Sequence, residues 1–408
     1  MVSEATKIKD SKNNVIIYYL SLLGFFAIFS TTISKNPVLP LFAHSLGASD
    51  SLLGIISFFS PFAGIVFSFP IGFLIDRIGQ KRLLIISATF FLIAPLLYSF
   101  VWQPLWLIPI RFLHGMATAI LNPLATTIIV NSYFQNKGEK LGYYSSATLF
   151  GRTLAPLLGG VVISALAFLP GAWNYRAVYW VAFIMAIPVF VLAVTLKKDH
   201  YEDRREGGPI HWRLLLTALK NFVGNGRLFS TSLMQMSIYF TFGVLETFLP
   251  GYLIWHGFSA SQIGLIFSLQ IVAMAIFQPL FGKIADRVDK RWQIVAGVLI
   301  LGGVTALITV PQNHWLIASL SVAFGVGMSL ATVATGSYVA DMSKKEERGS
   351  AMGALSAIMD VGHSFGPLLT GFIITWWSVE KGFLFSLAVC VLVSLFFIIA
   401  NFRKTVKI

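Results

Sequence analysis

Twelve apolar stretches divide this 408-residue chain, near residues 15–43, 51–75, 83–101, 106–133, 141–167, 175–196, 226–255, 260–285, 293–311, 315–342, 350–377 and 382–402. A bilayer core asks for roughly 20 apolar residues per crossing helix, and each stretch approaches or exceeds that length. Lipid offers no hydrogen bonds to the backbone, so segments of this length can cross it only as helices. Composition agrees: 56% of residues are hydrophobic and 12% are charged, about half the charge of a soluble protein. The expected fold class is therefore an all-α membrane protein with twelve transmembrane helices. The first stretch is too long for a signal-peptide core and lacks a small-x-small cleavage pattern, so it is expected to be retained. Cys390 is the single cysteine, which excludes internal disulfides and thiolate metal clusters.

The chain carries 30 Lys and Arg, with a net charge of +13. Twelve alternating spans place Arg176 and Lys381 in loops on one side, and Lys35, Arg111 and Arg152 within the membrane. Every other cation falls in loops and tails on the opposite side. By the positive-inside rule that side is cytoplasmic, so both termini are expected in the cytoplasm of a multi-pass protein of the cell (inner) membrane. The basic charge is then a topology signal, and no nucleic-acid partner is expected. The longest hydrophilic stretch, 197–225, separates an N-terminal bundle, 1–196, from a C-terminal bundle, 226–408. Within it His211 to Phe222 reads as a short amphipathic helix lying on the membrane surface.

The two bundles repeat each other. Pro40, Gly47, Gly54, Gly72, Asp76 and Arg77 recur 210 positions later as Pro250, Gly257, Gly264, Gly282, Asp286 and Arg287. One residue further out of step, Gly151 to Gly160 (GRTLAPLLGG) recurs as Gly362 to Gly371 (GHSFGPLLTG). An ordered series running through both halves implies two pseudo-symmetric six-helix bundles, and in transporters so built the ligand sits at the interface of the repeats.

These residues resemble a known family. The run from Gly72 to Arg82 is similar to the signature loop between helices two and three of the major facilitator superfamily, and Gly282 to Arg291 resembles its second copy, with Asp289 in place of the turn glycine Gly79. Arg111 to Gly115 is similar to the family's fourth-helix motif, and Pro37 to Pro40 to the first-helix motif of its twelve-span drug:proton antiporter branch. Gly151 to Gly160 resembles the antiporter motif of helix five, except that Ala155 stands where glycine is usual. Leu245-Glu246-Thr247 is similar to the stretch of helix seven that carries a protonatable Glu in several multidrug exporters. The resemblance implies alternating access, with Gly72, Asp76, Arg77, Gly79, Asp286 and Arg287 forming a conformational gate that faces helix eleven.

Charges within the membrane point to the chemistry, because burying one costs at least about 2.5 kcal/mol. Lys35, Arg111 and Glu246 each lie roughly 8–14 Å below the outer ends of their helices, so the three are expected to meet in one layer. Asn36 is the repeat counterpart of Glu246. His114 shares the Arg111 face at i, i+3, and Asp360 and His363 form a second expected pair one turn apart. Glu246, Arg111, Asp360 and His363 are the candidates for proton coupling. Lys35, Asn36, Asn122, Arg152, Gln235, Tyr239, Phe242 and Gln270 are candidates for lining a substrate cavity, where aromatic walls accept flat or lipophilic molecules. Lys81 and Arg82 are accounted for as topology-setting cations.

The sequence thus points to a secondary transporter, most simply one exporting small amphipathic or toxic compounds against protons. An exporter or symporter of an anionic or zwitterionic metabolite, chelator or lipid is the alternative within transport, and a receptor on a transporter fold the alternative outside it. No phosphate-binding G-x-x-x-x-G-K-[ST] loop occurs, so the expected energy source is a proton gradient with no cofactor, no metal and no enzymatic step. The expected partners are a small-molecule substrate, protons and the lipid bilayer, with the protein working as a monomer.

Overall fold

The computed structural model describes residues 4–68, 74, 75, 77–133, 136–196, 225–310, 313–343 and 348–402, and of these the side chains of 4–14, 68 and 348–350 are left aside. Gly72, Asp76 and the surface helix expected at 211–222 lie outside the described residues.

Twelve spans are present among the described residues. The first is broken in two, α1 (Glu4–Ile33) and α2 (Val38–Ser45). The next five are α3 (Asp50–Ser68), α4 (Gln80–Ser99), α5 (Leu107–Ser132), α6 (Lys137–Ala165) and α7 (Trp173–Thr195). The second half holds α8 (Gly226–Trp255), α9 (Ala260–Ala285), α10 (Lys290–Leu307), α11 (His314–Met342), α12 (Arg348–Trp376) and α13 (Val379–Phe402). The break in the first span corrects the single helix expected over 15–43. Pro37 has no N–H, and its ring disfavours a helical Asn36, so the helix stops at Ile33 and restarts at Val38.

Repeat-related residues make repeat-related contacts across the two halves. Gly54 of α3 lies against the Pro367 carbonyl of α12, and its counterpart Gly264 of α9 lies against the Pro156 carbonyl of α6. Gly371 abuts the Asp50 carbonyl, as Gly160 abuts that of Ala260, so a side chain at any of the four would strike a backbone oxygen. The Ser51 N–H donates to Thr375 Oγ1 at 2.9 Å, and the Ser261 N–H donates to Ser164 Oγ at 3.0 Å. These contacts seal the halves at the end marked by the turns at Gly47 (φ 85°) and Gly257 (φ 82°), a backbone conformation that glycine adopts without strain.

The apolar core is continuous between the halves toward this sealed end, through Phe42, Leu53, Ile238, Leu249 and Phe258 among others. Toward the opposite end the N-terminal half keeps a core of its own, built from residues such as Leu20, Leu84, Leu124 and Val189. The molecule is therefore closed at one end and parted at the other. Trp102, Trp106, Trp255, Trp315, Trp376 and Trp377 stand exposed around the sealed end, as indoles do at a lipid–water boundary.

At the parted end two cations do more than set topology. Lys81 Nζ donates to the carbonyls of Ala193 and Val194, both at 2.7 Å, and to that of Leu196, capping the last turn of α7. Its repeat counterpart Arg291 donates to the Asn401 carbonyl at 2.8 Å on α13. Asp289, which takes the place of the turn glycine, caps α10 by accepting from the Arg291 N–H at 3.0 Å. Hydrogen bonds from the Arg291 side chain hold the Asp289 carboxyl below its ordinary pKa. Arg176, expected in a loop, is instead buried in the first turn of α7, where it donates to the Val101 carbonyl at 2.8 Å beneath the Trp102 ring.

Candidate functional site

The break in the first span places the site. Between Ile33 and Val38 the chain turns through Ser34, Lys35, Asn36 and Pro37, and both Lys35 and Asn36 reach the second half. Glu246 lies within α8, one turn before Pro250, and is 7% exposed. Lys35 Nζ forms an ion pair with Glu246 Oε2, and Asn36 Nδ2 donates to Glu246 Oε1. His363 Nε2, on α12, lies 3.0 Å from Glu246 Oε2 and 3.1 Å from Lys35 Nζ. Each Glu246 oxygen thus has a partner on the first half, and His363 adds one from its own half.

One nitrogen of His363 faces both a donor and an acceptor. As N–H it donates to Glu246; as a bare nitrogen it accepts from Lys35. The three side chains can pass a proton among them without a change of backbone, and removing the charge from Glu246 dissolves the ionic link between the halves.

Asn36 and Glu246 are repeat counterparts that bond to each other, so their contact lies on the pseudo-twofold axis. The break in the first span therefore meets α8 of the opposing bundle at the interface of the halves.

Arg111 lies within electrostatic reach of Lys35 and His363 but stays outside their cluster of direct contacts. It is 2% exposed on α5, beside Tyr98, Tyr179 and His114 of its own half, and among the described residues it makes no ion pair. His114 is buried with it, its ring 6.0 Å from those of Phe91 and Tyr98.

The expected Asp360–His363 pair is also corrected. His363 turns to α8 and the Lys35–Glu246 pair, whereas the partly exposed Asp360 lies against Gly64 of α3. Three residues along a helix leave two side chains about 60° apart, enough for neighbours on two different helices. The signal for this was Gly64, whose missing side chain leaves room for the carboxyl.

Of the cavity candidates, Tyr239 and Phe242 frame one corner, their rings 6.3 Å apart and 6.3 and 5.5 Å from the His363 ring. Arg152 and Asn122 are exposed on α6 and α5, while Gln235 and Gln270 are buried with their amide oxygens unpartnered. Arg152 is exposed yet lies within electrostatic reach of Lys35 and Tyr239. Of the gate candidates, Gly79 takes φ 88° at the start of α4, and Arg77, Asp286 and Arg287 are exposed at the parted end. Among the described residues no three His, Cys, Asp or Glu side chains gather as a metal site.

The comparisons with known proteins match this arrangement along the whole chain. The sequence model of the Major Facilitator Superfamily matches residues 20–256 and 231–407, once for each half. An uncharacterised MFS-type transporter of Methanocaldococcus jannaschii is 24% identical over 338 residues, 83% of this chain and 86% of that protein. The multidrug resistance protein MdtG of Salmonella arizonae is 26% identical over 380 residues, 88% of each chain. The staphylopine export protein of Staphylococcus aureus is 24% identical over 416 residues, 95% of each. Among solved structures, a bacterial homolog of the human lysosomal transporter spinster, in an inward-facing and unoccupied conformation, aligns with a TM-score of 0.78 at 17% identity, covering 95% of this chain and 97% of its own. The duplicated fold, the twelve spans and the match in both halves place this chain in the major facilitator superfamily, as a transporter of small molecules that spans the lipid bilayer.

Proposed function

We propose that the protein is a proton-driven exporter of small amphipathic compounds in which Glu246 takes up and releases the coupling proton. The observation that carries this reading is the Glu246 carboxylate paired across the two halves with Lys35, just inside the sealed end. Opening that end requires Lys35 and Glu246 to separate, which leaves two charges with poor solvation. A proton on Glu246 removes one of them. Protonation therefore favours opening at the sealed end, and release of the proton favours the closed arrangement. A ligand or proton shifts such an equilibrium only through its differential affinity for the two states, and here the ion pair supplies that difference.

The positive-inside distribution of Lys and Arg supports a cytoplasmic parted end, with both termini on that side. The cell membrane protein is then loaded from inside while protons enter from outside. It works as a monomer on an ion gradient, without a cofactor. Tyr239 and Phe242 offer the flat walls that a lipophilic cargo needs, and the relationship to a multidrug resistance protein supports that class. A second reading, export of an anionic or zwitterionic metabolite, is favoured by Arg152, a cation exposed at the edge of the central space.

The test is pH-gradient-driven accumulation of ethidium by proteoliposomes. Glu246→Gln is expected to reduce it to the passive leak, and undiminished accumulation in that variant would remove Glu246 from the mechanism.

A further inference from the structure

Among the described residues, the interior of the first half buries two arginines and no acid. Arg176 is accounted for by the Val101 carbonyl and the Trp102 ring. Arg111 has no such partner. It shares one face of α5 with His114, while Tyr98 stands in the last turn of α4 and Tyr179 in the second turn of α7. All four lie within about two turns of the sealed end of their helices. The Tyr98 and Tyr179 rings stack with centroids 4.7 Å apart, and the His114 ring stands 6.0 Å from that of Tyr98. None of the four side chains is more than 2% exposed. Yet Arg111 Nε, both ring nitrogens of His114 and the hydroxyls of Tyr98 and Tyr179 have no hydrogen-bond partner. The guanidinium approaches the Tyr98 hydroxyl without completing a bond. Folded interiors leave few polar atoms in this condition, so five of them in one place call for a group that satisfies them.

All four side chains can donate a hydrogen bond, and Arg111 can only donate and never loses its charge. We infer that Arg111, His114, Tyr98 and Tyr179 enclose a small monovalent anion, a halide taken from the medium at the sealed end. Water would pair with the hydroxyls but leave the arginine charge unbalanced in a bundle that buries no acid. A multivalent anion is disfavoured, because the cost of stripping its hydration rises with the square of its charge. The connection between α4 and α5, residues 100–106, runs directly from Tyr98 toward Arg111, which keeps the site close to the sealed-end surface. The ion also acts beyond its own bundle. Arg111 disfavours a positive charge on Lys35 and on His363, and a halide beside it offsets that repulsion and steadies the Lys35–Glu246 pair. The site is separate from the central cargo space and does not depend on how Glu246 is used.

The experiment follows thermal unfolding of the purified full-length protein in the sodium salts of chloride, bromide, sulfate and gluconate, at one pH and one ionic strength. A ligand that binds only the folded state raises the melting temperature, and the rise grows with its concentration. Chloride and bromide are expected to raise it by several degrees over gluconate. Sulfate stabilises proteins in general by exclusion from their surface, so an order in which both halides exceed sulfate marks a site. Arg111→Gln is expected to abolish the difference between chloride and gluconate. Should that variant fail to fold, Tyr98→Phe combined with Tyr179→Phe keeps both rings and removes two donors. It is expected to raise the chloride concentration needed for the same shift about tenfold or more. Crystals grown in bromide are expected to show an anomalous peak beside Arg111. Equal melting temperatures in chloride and gluconate, a halide effect unchanged in these variants, or ordered water alone beside Arg111 overturns the inference. Ethidium accumulation that depends on Glu246 would in that event still support the proton-coupling proposal.

Discussion

Lys35 and Glu246 hold each other in a place where neither is tolerated alone. Removing one partner of a buried ion pair strands the other, at a cost of about 3–5 kcal/mol. Lys35→Met is therefore expected to lower the stability of the purified protein by roughly that amount, somewhat less because the Lys35 side chain is 23% exposed. Glu246→Gln added to Lys35→Met is expected to recover most of the loss, since the stranded charge is gone. Denaturant unfolding of the two single variants and the double variant reads the coupling, and strictly additive effects would show that the pair contributes nothing as a pair. The sequence made these charges legible because a charge in an apolar run is costly wherever it points. Their partners were less legible. Spacing along α12 joined His363 to Asp360, whereas the packing of α12 between α3 and α8 separates them.

Between elements, the interface of the halves depends on four glycines in two repeat-related sets. A valine at Gly264 would meet the Pro156 carbonyl and force α9 from α6, an overpacking cost of about 1–3 kcal/mol. Gly264→Val is expected to lower the melting temperature by several degrees and to slow transport, whereas Gly303→Val, where a side chain meets nothing, is expected to leave both unchanged. Equal effects of the two substitutions would mean that close approach at Gly264 is not what the interface requires. These glycines were readable as an ordered repeat, and so was the bend-prone proline beside each set. The break of the first span after Ile33 was carried by Pro37 alone, within a stretch apolar enough to read as one helix. The capping by Lys81 of α7 was hidden for another reason: a cation at the end of a loop serves topology and capping equally well, and only its counterpart Arg291 marks the second use.

In the whole molecule, twelve spans and two halves followed from hydropathy and repetition, because lipid permits few alternatives. Which end is sealed did not follow, since two states that share every helix differ only in how the halves meet. The seal is open to a direct test. Ser51→Cys with Thr375→Cys, in a chain where Cys390→Ser leaves no other thiol, is expected to form a disulfide under mild oxidation and to stop transport, with reduction restoring it. Transport that continues through a fully cross-linked population would mean that this end need not open. The bond between Asn36 and Glu246 carries one further consequence. Two identical halves would present the same side chain to itself at that point: paired acids would repel, and paired amides would bond but hold no charge to titrate. On the proposed mechanism a perfectly duplicated chain could thus be a pore or a facilitator but not a pump, and an acid facing an amide at this one symmetric contact is what would let a gradient do work.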